Sequence, residues 1–129
     1  MRGGTRVGRV RGLGSARSGP HHWIVQRITA IGNLVLVLWL IASLLFLPGL
    51  DYGAVTGWLA QPLVAVPAIL MLVSIFWHLK LGLQVLIEDY VHEEAGKLFC
   101  LLILNFYAVA GAAVGIFSIA KIAFTGAQG

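Results

Sequence analysis

The sequence predicts an all-α membrane protein of three transmembrane helices in an up-down-up bundle, and three observations carry that prediction. Hydrophobic residues make up 59% of the chain and charged residues 11%, where soluble domains hold roughly 45–50% and 25%. The charge is segregated: Arg2, Arg6, Arg9, Arg11, Arg17 and Arg27 precede every acid, and the acids are Asp51, Glu88, Asp89, Glu93 and Glu94. Three long apolar stretches are separated by short polar breaks. A soluble domain needs far more polar surface than this, so lipid is the main solvent.

Residues 1–20 are rich in Gly, Arg and Ser without apolar periodicity, which predicts a disordered basic arm. Because the arm abuts an apolar span, it reads as a topogenic segment held on the cytoplasmic side against anionic lipid, not as a nucleic-acid-binding tail. An acid-free, Arg-rich arm also fits an organellar targeting segment, although its glycines make a poor amphipathic helix. The retained cytoplasmic tail of a bacterial inner-membrane protein is the simpler reading.

Residues 21–129 form the expected transmembrane domain, with spans of about 24–47, 62–87 and 98–123. The stretch from Ile28 to Leu47 is uncharged, and crossing hydrocarbon takes about 20 such residues. It is too long for the apolar core of a cleaved signal. Pro48, Gly49, Asp51, Tyr52 and Gly53 break it, and Trp58 follows as an interfacial aromatic. The second span carries His78, Lys80 and Gln84, which makes it the most polar of the three. Glu88 to Lys97 is a short charged loop, with His92 in it, and the third span holds Asn105 and Lys121. With the arginine arm inside, the spans alternate and the C-terminus lies on the periplasmic side. Cys100 stands alone, which excludes an internal disulfide and the paired cysteines of a zinc or iron–sulfur site. It reads as a small apolar filler.

The second span concentrates the chemistry. At 100° per residue His78, Gly82, Val85 and Asp89 lie along one stripe, Asp89 about 20° from His78 and roughly 16 Å further along the axis. His78 is therefore inside the bilayer while Asp89 and Tyr90 reach its inner surface. An ionisable side chain at that depth faces a partner, a cavity or a metal. Three readings stand for His78: a haem ligand, an interhelical hydrogen bond to a carbonyl or Asn105, and a proton relay. Gly82, one turn on, gives a flat macrocycle or a neighbouring helix close access to the backbone. Lys80 lies on the opposite face and snorkels toward an interface or partner, and Gln84 suits an interhelical hydrogen bond. Asp89 and Tyr90 pair a carboxylate with a phenol, as a quinone carbonyl needs, or are an ordinary interfacial pair. Arg27, at the same boundary, suits a haem propionate or a lipid phosphate. Transport or proton conduction past His78 and Lys80, and a purely structural assembly role, are the alternatives of a different class.

These residues resemble the small membrane-anchor subunit of succinate dehydrogenase, respiratory complex II, in its SdhD form. The resemblance rests on His78, Gly82, Gln84-Val85 and Asp89-Tyr90, and on Gln26-Arg27-x-Thr29-Ala30 opening the first helix, and it spans about residues 21–124. It implies that His78 is an axial ligand of haem b, the other coming from a second membrane-anchor subunit of the b-type cytochrome kind, which also completes the bundle. It further implies that Tyr90 donates to ubiquinone, that Asp89 neighbours the quinone, and that Arg27 lies near the haem propionates or the quinone. Succinate oxidation would belong to flavoprotein and iron–sulfur subunits, since this chain has neither flavin motif nor cluster cysteines, and the chain would anchor them in the inner membrane. Glu93 and Glu94 would face those subunits. The resemblance does not assign His21, His22, His92 or Lys80.

Overall fold

The computed structural model describes residues 19–126. The expectation of a disordered arm falls on residues 1–18, outside that range, except that Gly19 and Pro20 already belong to the first helix. Four helices follow: α1 (Gly19–Leu45), α2 (Tyr52–Leu59), α3 (Pro62–Tyr90) and α4 (Glu94–Thr125). Helices α1, α3 and α4 are each long and apolar enough to cross a membrane, which bears out the three-span, all-helical reading. Their ends overrun the apolar stretches. Helix α1 starts five residues earlier than the span at 24, with His21, His22 and Arg27 in its opening turns, and α3 continues through Asp89 and Tyr90.

Local chemistry sets the boundaries. After α1, Phe46 and Leu47 wind out through longer bonds of 3.3 and 3.4 Å to Ala42 and Leu44, and Pro48 stops the helix. Pro62 opens α3 in its first turn, where a missing N–H is harmless. Glu93 caps α4, its carboxylate accepting from the Gly96 N–H at 3.0 Å. This acid, read from sequence as a docking charge, therefore has a structural duty at a positive helix end.

Helix α2 was not expected; the sequence reading treats its residues as an interfacial loop. Asp51 caps it by accepting from the Ala54 N–H at 3.2 Å, and Thr56 donates back to the Tyr52 carbonyl at 2.7 Å. Trp58 stacks on Trp39 of α1, ring centroids 5.9 Å apart at 26°, and α2 also approaches α3 and α4. The short helix thus closes one end of the bundle.

Within the bundle α3 is central. It packs along both α1 and α4, while α1 and α4 make no close approach to each other. The core is correspondingly thin: among the described residues Thr56, Val64, Ala65, Ala68, Leu81, Leu104 and Ala108 are buried, and no large side chain is fully enclosed. Helix α1 has no buried residue at all.

The α3–α4 seam depends on small residues. Gly111 and Gly115 lie four apart on α4, a Gly-x-x-x-Gly pair that lets another helix approach its backbone. A Cβ on Gly111 would stand 2.5 Å from the Phe76 ring, and one on Gly115 would collide with the Leu72 side chain. Gly57 of α2, by contrast, has open space. Gly111→Ala is expected to destabilise the protein by about 1–3 kcal/mol through overpacking, and Gly57→Ala not to do so. Thermal denaturation of the two variants in detergent checks this; equal behaviour would show that the α3–α4 seam does not need the glycine.

Candidate functional site

The α1–α3 seam has a different chemistry from the α3–α4 seam. Along α1, Gln26, Thr29 and Asn33 recur at i, i+3 and i+7, the spacing of one helix face, with Gly32 beside them. Along α3, Ser74, His78 and Gly82 recur at i, i+4 and i+8 and meet that face. Ser74 Oγ donates to the Thr29 carbonyl at 3.5 Å, and a Cβ on Gly32 would rest 3.7 Å from the same hydroxyl.

Thr29 holds His78. Thr29 Oγ1 lies 3.0 Å from His78 Nδ1, and it also lies 2.9 Å from the Val25 carbonyl and 3.1 Å from the Gln26 carbonyl of its own helix. His78 is half-buried. At ~1.5 Å per residue it stands roughly 24 Å from one end of α3 and roughly 18 Å from the other, well within hydrocarbon. The interhelical hydrogen bond foreseen for His78 therefore exists, but its partner is Thr29. Asn105 instead donates to its own Leu101 carbonyl at 2.8 Å. Spacing along α3 shows which residues share a face; it does not show how α1 is rotated against that face.

One turn beyond His78 the seam opens. A cavity of about 640 Å³ lies between the start of α1 and the end of α3, lined among others by His22, Trp23, Gln26, Gly82 and Glu88. The nearest atom to a Cβ built on Gly82 is Gln26 Nε2, 3.9 Å away, so among the described residues α1 approaches Gly82 only through this side chain and no backbone packs against it. The side-chain oxygens of Gln26 and Asn33 are buried without a hydrogen-bond partner. Among the described residues neither oxygen finds a donor, so each is open to one such as water or a neighbouring side chain.

The other predicted residues are dispersed. Asp89 and Tyr90 end α3, both exposed, Tyr90 at 77%. Arg27 is exposed, its guanidinium 5.0 Å from the Trp23 ring, and it points roughly 200° away from Thr29 on α1. Within this chain Arg27 and His78 therefore face different surroundings. Lys80 sits 5.1 Å over the Trp77 ring in an apolar groove between α3 and α4 with Phe76 and Ala108. His78 and Lys80 consequently address different neighbours and do not line one path. Gln84 donates to Glu88 Oε1 at 2.9 Å within α3, a local i,i+4 bond in place of the interhelical one expected. Cys100 is half-buried and free.

Among the described residues no three His, Cys, Asp or Glu side chains gather as a metal cluster. A metal held through His78 would take its other donors from outside this set, from a macrocycle or from a partner chain. The open ground at Gly82 and a histidine anchored through one ring nitrogen fit such a group.

Three apolar spans with a hydrogen-bonded histidine at mid-depth define a multi-pass integral membrane protein. Residues 1–114 match the family model for the succinate dehydrogenase/fumarate reductase transmembrane subunit. The chain is 36% identical over 110 residues to the succinate dehydrogenase hydrophobic membrane anchor subunit of Rickettsia bellii (strain RML369-C), a match covering 79% of this chain and 88% of that protein. The subunit of the same description from Rickettsia conorii (strain ATCC VR-613 / Malish 7) is 32% identical over 111 residues, again 79% and 88%. The chain belongs to this family, as a membrane anchor subunit of succinate dehydrogenase.

Two residues of the site were legible but unread. Asn33 completes a polar stripe with Gln26 and Thr29 at helical spacing, and Ser74 precedes His78 by one turn. Gly82→Ala is expected to leave thermal stability in detergent unchanged, because the added methyl meets nothing closer than the Gln26 amide. A clear drop in melting temperature would mean that α1 packs against Gly82 after all.

Proposed function

We propose that this anchor binds haem b through His78 and forms part of a ubiquinone site at Asp89 and Tyr90, so that electrons from succinate oxidation reach quinone in the membrane. The observation that carries the reading is His78 itself, a half-buried mid-span histidine held by Thr29 through one ring nitrogen, beside the open face at Gly82. A histidine serving only as interhelical glue would need no such opening.

The roles follow from position. His78 would hold the haem from this chain, and a second anchor subunit of the b-type cytochrome kind would hold it as well and cover the exposed face of α1. When bound, the haem supplies a one-electron redox centre. Tyr90, exposed at the end of α3, donates its phenolic hydrogen to a quinone carbonyl, and Asp89 is its neighbour in the quinone vicinity. Arg27 offers its guanidinium to a carboxylate at the α1 entrance, either a propionate or a group in the quinone vicinity. The exposed acids of the α3–α4 loop face the iron–sulfur and flavoprotein subunits on the cytoplasmic side of an inner membrane, with the C-terminus periplasmic. Membrane lipid covers the remaining apolar surface; no nucleic acid is involved.

The experiment is the purified complex with single substitutions. His78→Ala should abolish the b-type absorbance, and unchanged haem content removes His78 as ligand. Tyr90→Phe should slow quinone reduction about 100-fold or more, the usual range for one positioned proton-transfer group, while succinate oxidation with an artificial acceptor stays intact. Equal rates in both assays refute the quinone role. A channel or transporter would instead show ion flux from the anchor alone, without redox partners.

A further inference from the structure

Thr29 has one hydroxyl hydrogen and three close polar neighbours, and that count decides how the histidine is presented. The Val25 and Gln26 carbonyls, at 2.9 and 3.1 Å, can only accept, and His78 Nδ1 at 3.0 Å can donate or accept according to its proton. If the hydroxyl gave its hydrogen to Nδ1, its lone pairs would face two carbonyl oxygens at hydrogen-bond distance with nothing between them. If it gives the hydrogen back to the carbonyls of its own helix, it accepts from Nδ1–H and all three approaches are attractive. Back-bonding to the i−4 carbonyl is the habit of threonine in helices.

We propose that Thr29 is the positioning residue that fixes His78 in its Nδ1–H tautomer and leaves the Nε2 lone pair to bind haem iron. The two ring nitrogens lie on opposite edges of the imidazole, so a proton pinned toward α1 turns the bare nitrogen away from it. The neutral ring with one nitrogen anchored is the form in which histidine ligates metals, and an acceptor on the far N–H raises its donor strength. The anchor is itself held. Branching at Cβ restricts the Thr29 rotamer, the two back-bonds occupy its hydroxyl, and Ser74 ties the same turn of α1 to α3 through the Thr29 carbonyl. The inference rests on the reading of His78 as a haem ligand and adds a role for a residue that touches no cofactor.

The test uses the whole purified complex. Thr29→Val keeps the shape and removes the acceptor; Thr29→Ser restores the acceptor without the methyl. In Thr29→Val haem should bind about 10–100-fold more weakly, the range seen when a ligand's outer hydrogen bond is lost. The midpoint potential of the remaining haem should move positive, because an imidazole without its acceptor donates less to iron. Thr29→Ser should return both toward the parent values. Nitrogen-15 NMR of labelled histidine in the unsubstituted complex should report a protonated Nδ1 on His78, and this measurement needs no variant to fold. An unprotonated Nδ1, or Thr29→Val with parental haem content and potential, overturns the role of Thr29 alone. Thr29→Ser behaving like Thr29→Val also overturns it, since packing would then be the cause. A complex without haem, or haem retained in His78→Ala, overturns this role and the ligand reading together.

Discussion

Hydrocarbon supplies no hydrogen bonds, and the structure follows from how each polar group is satisfied without water. The backbone is satisfied within its own helices, which is why spans and little else occupy residues 19–126. Polar side chains have two options, and this chain separates them by location. Thr56, Asn105, Ser118 and Thr125 turn back onto carbonyls of their own helices, so they reach no neighbouring helix. Among the described residues, side-chain bonds cross from one span to another only between α1 and α3, through Thr29, Ser74 and His78. The α3–α4 seam is held by contact alone, small against large, with Gly111 and Gly115 receiving Phe76 and Leu72.

How much of this the sequence discloses depends on the length scale of each cause. Hydropathy over about 20 residues is a property of the chain by itself, so three spans were readable, and so was the anomaly of His78 within one of them. Helix ends were less readable at the start of α1, because Gly19, Pro20, His21 and His22 lie before the apolar stretch yet are helical; the helix outlasts the apolar stretch. The eight-residue α2 was missed although Asp51 is a standard helix cap, since a Gly- and Pro-bounded segment reads equally as a turn. The Gly111–Gly115 pair was in plain view and passed over. The Thr29–His78 pairing was out of reach. It depends on the rotation of α1 about its axis, which spacing within either helix leaves undetermined.

The same distinction holds for the site. Residues sharing a helix were grouped correctly along α3, where periodicity decides, and the local Gln84–Glu88 bond follows the same rule once i,i+4 partners are considered. Residues on different helices were grouped by depth alone. Depth brings Arg27 to the level of Tyr90, but its guanidinium faces away from Thr29 and the α1–α3 seam and rests on Trp23. The orphan oxygens of Gln26 and Asn33 show the limit from the other side. Their unmet hydrogen-bonding capacity was not readable either, because it depends on which atoms α1 and α3 bring together and not on the spacing along one helix.

Because α1 and α4 make no close approach, the three spans form a row and not a closed ring. In a row the free energy is a sum of nearest-neighbour interfaces, as in solenoid proteins. Disturbance of one interface reaches the other by moving α3 as a body, or through α2, which stacks on α1 and approaches α4. The histidine seam is thereby set apart from α4: a substitution on α4 that leaves α3 and α2 in place leaves the α1–α3 contacts, and with them the Thr29–His78 pair, as they are.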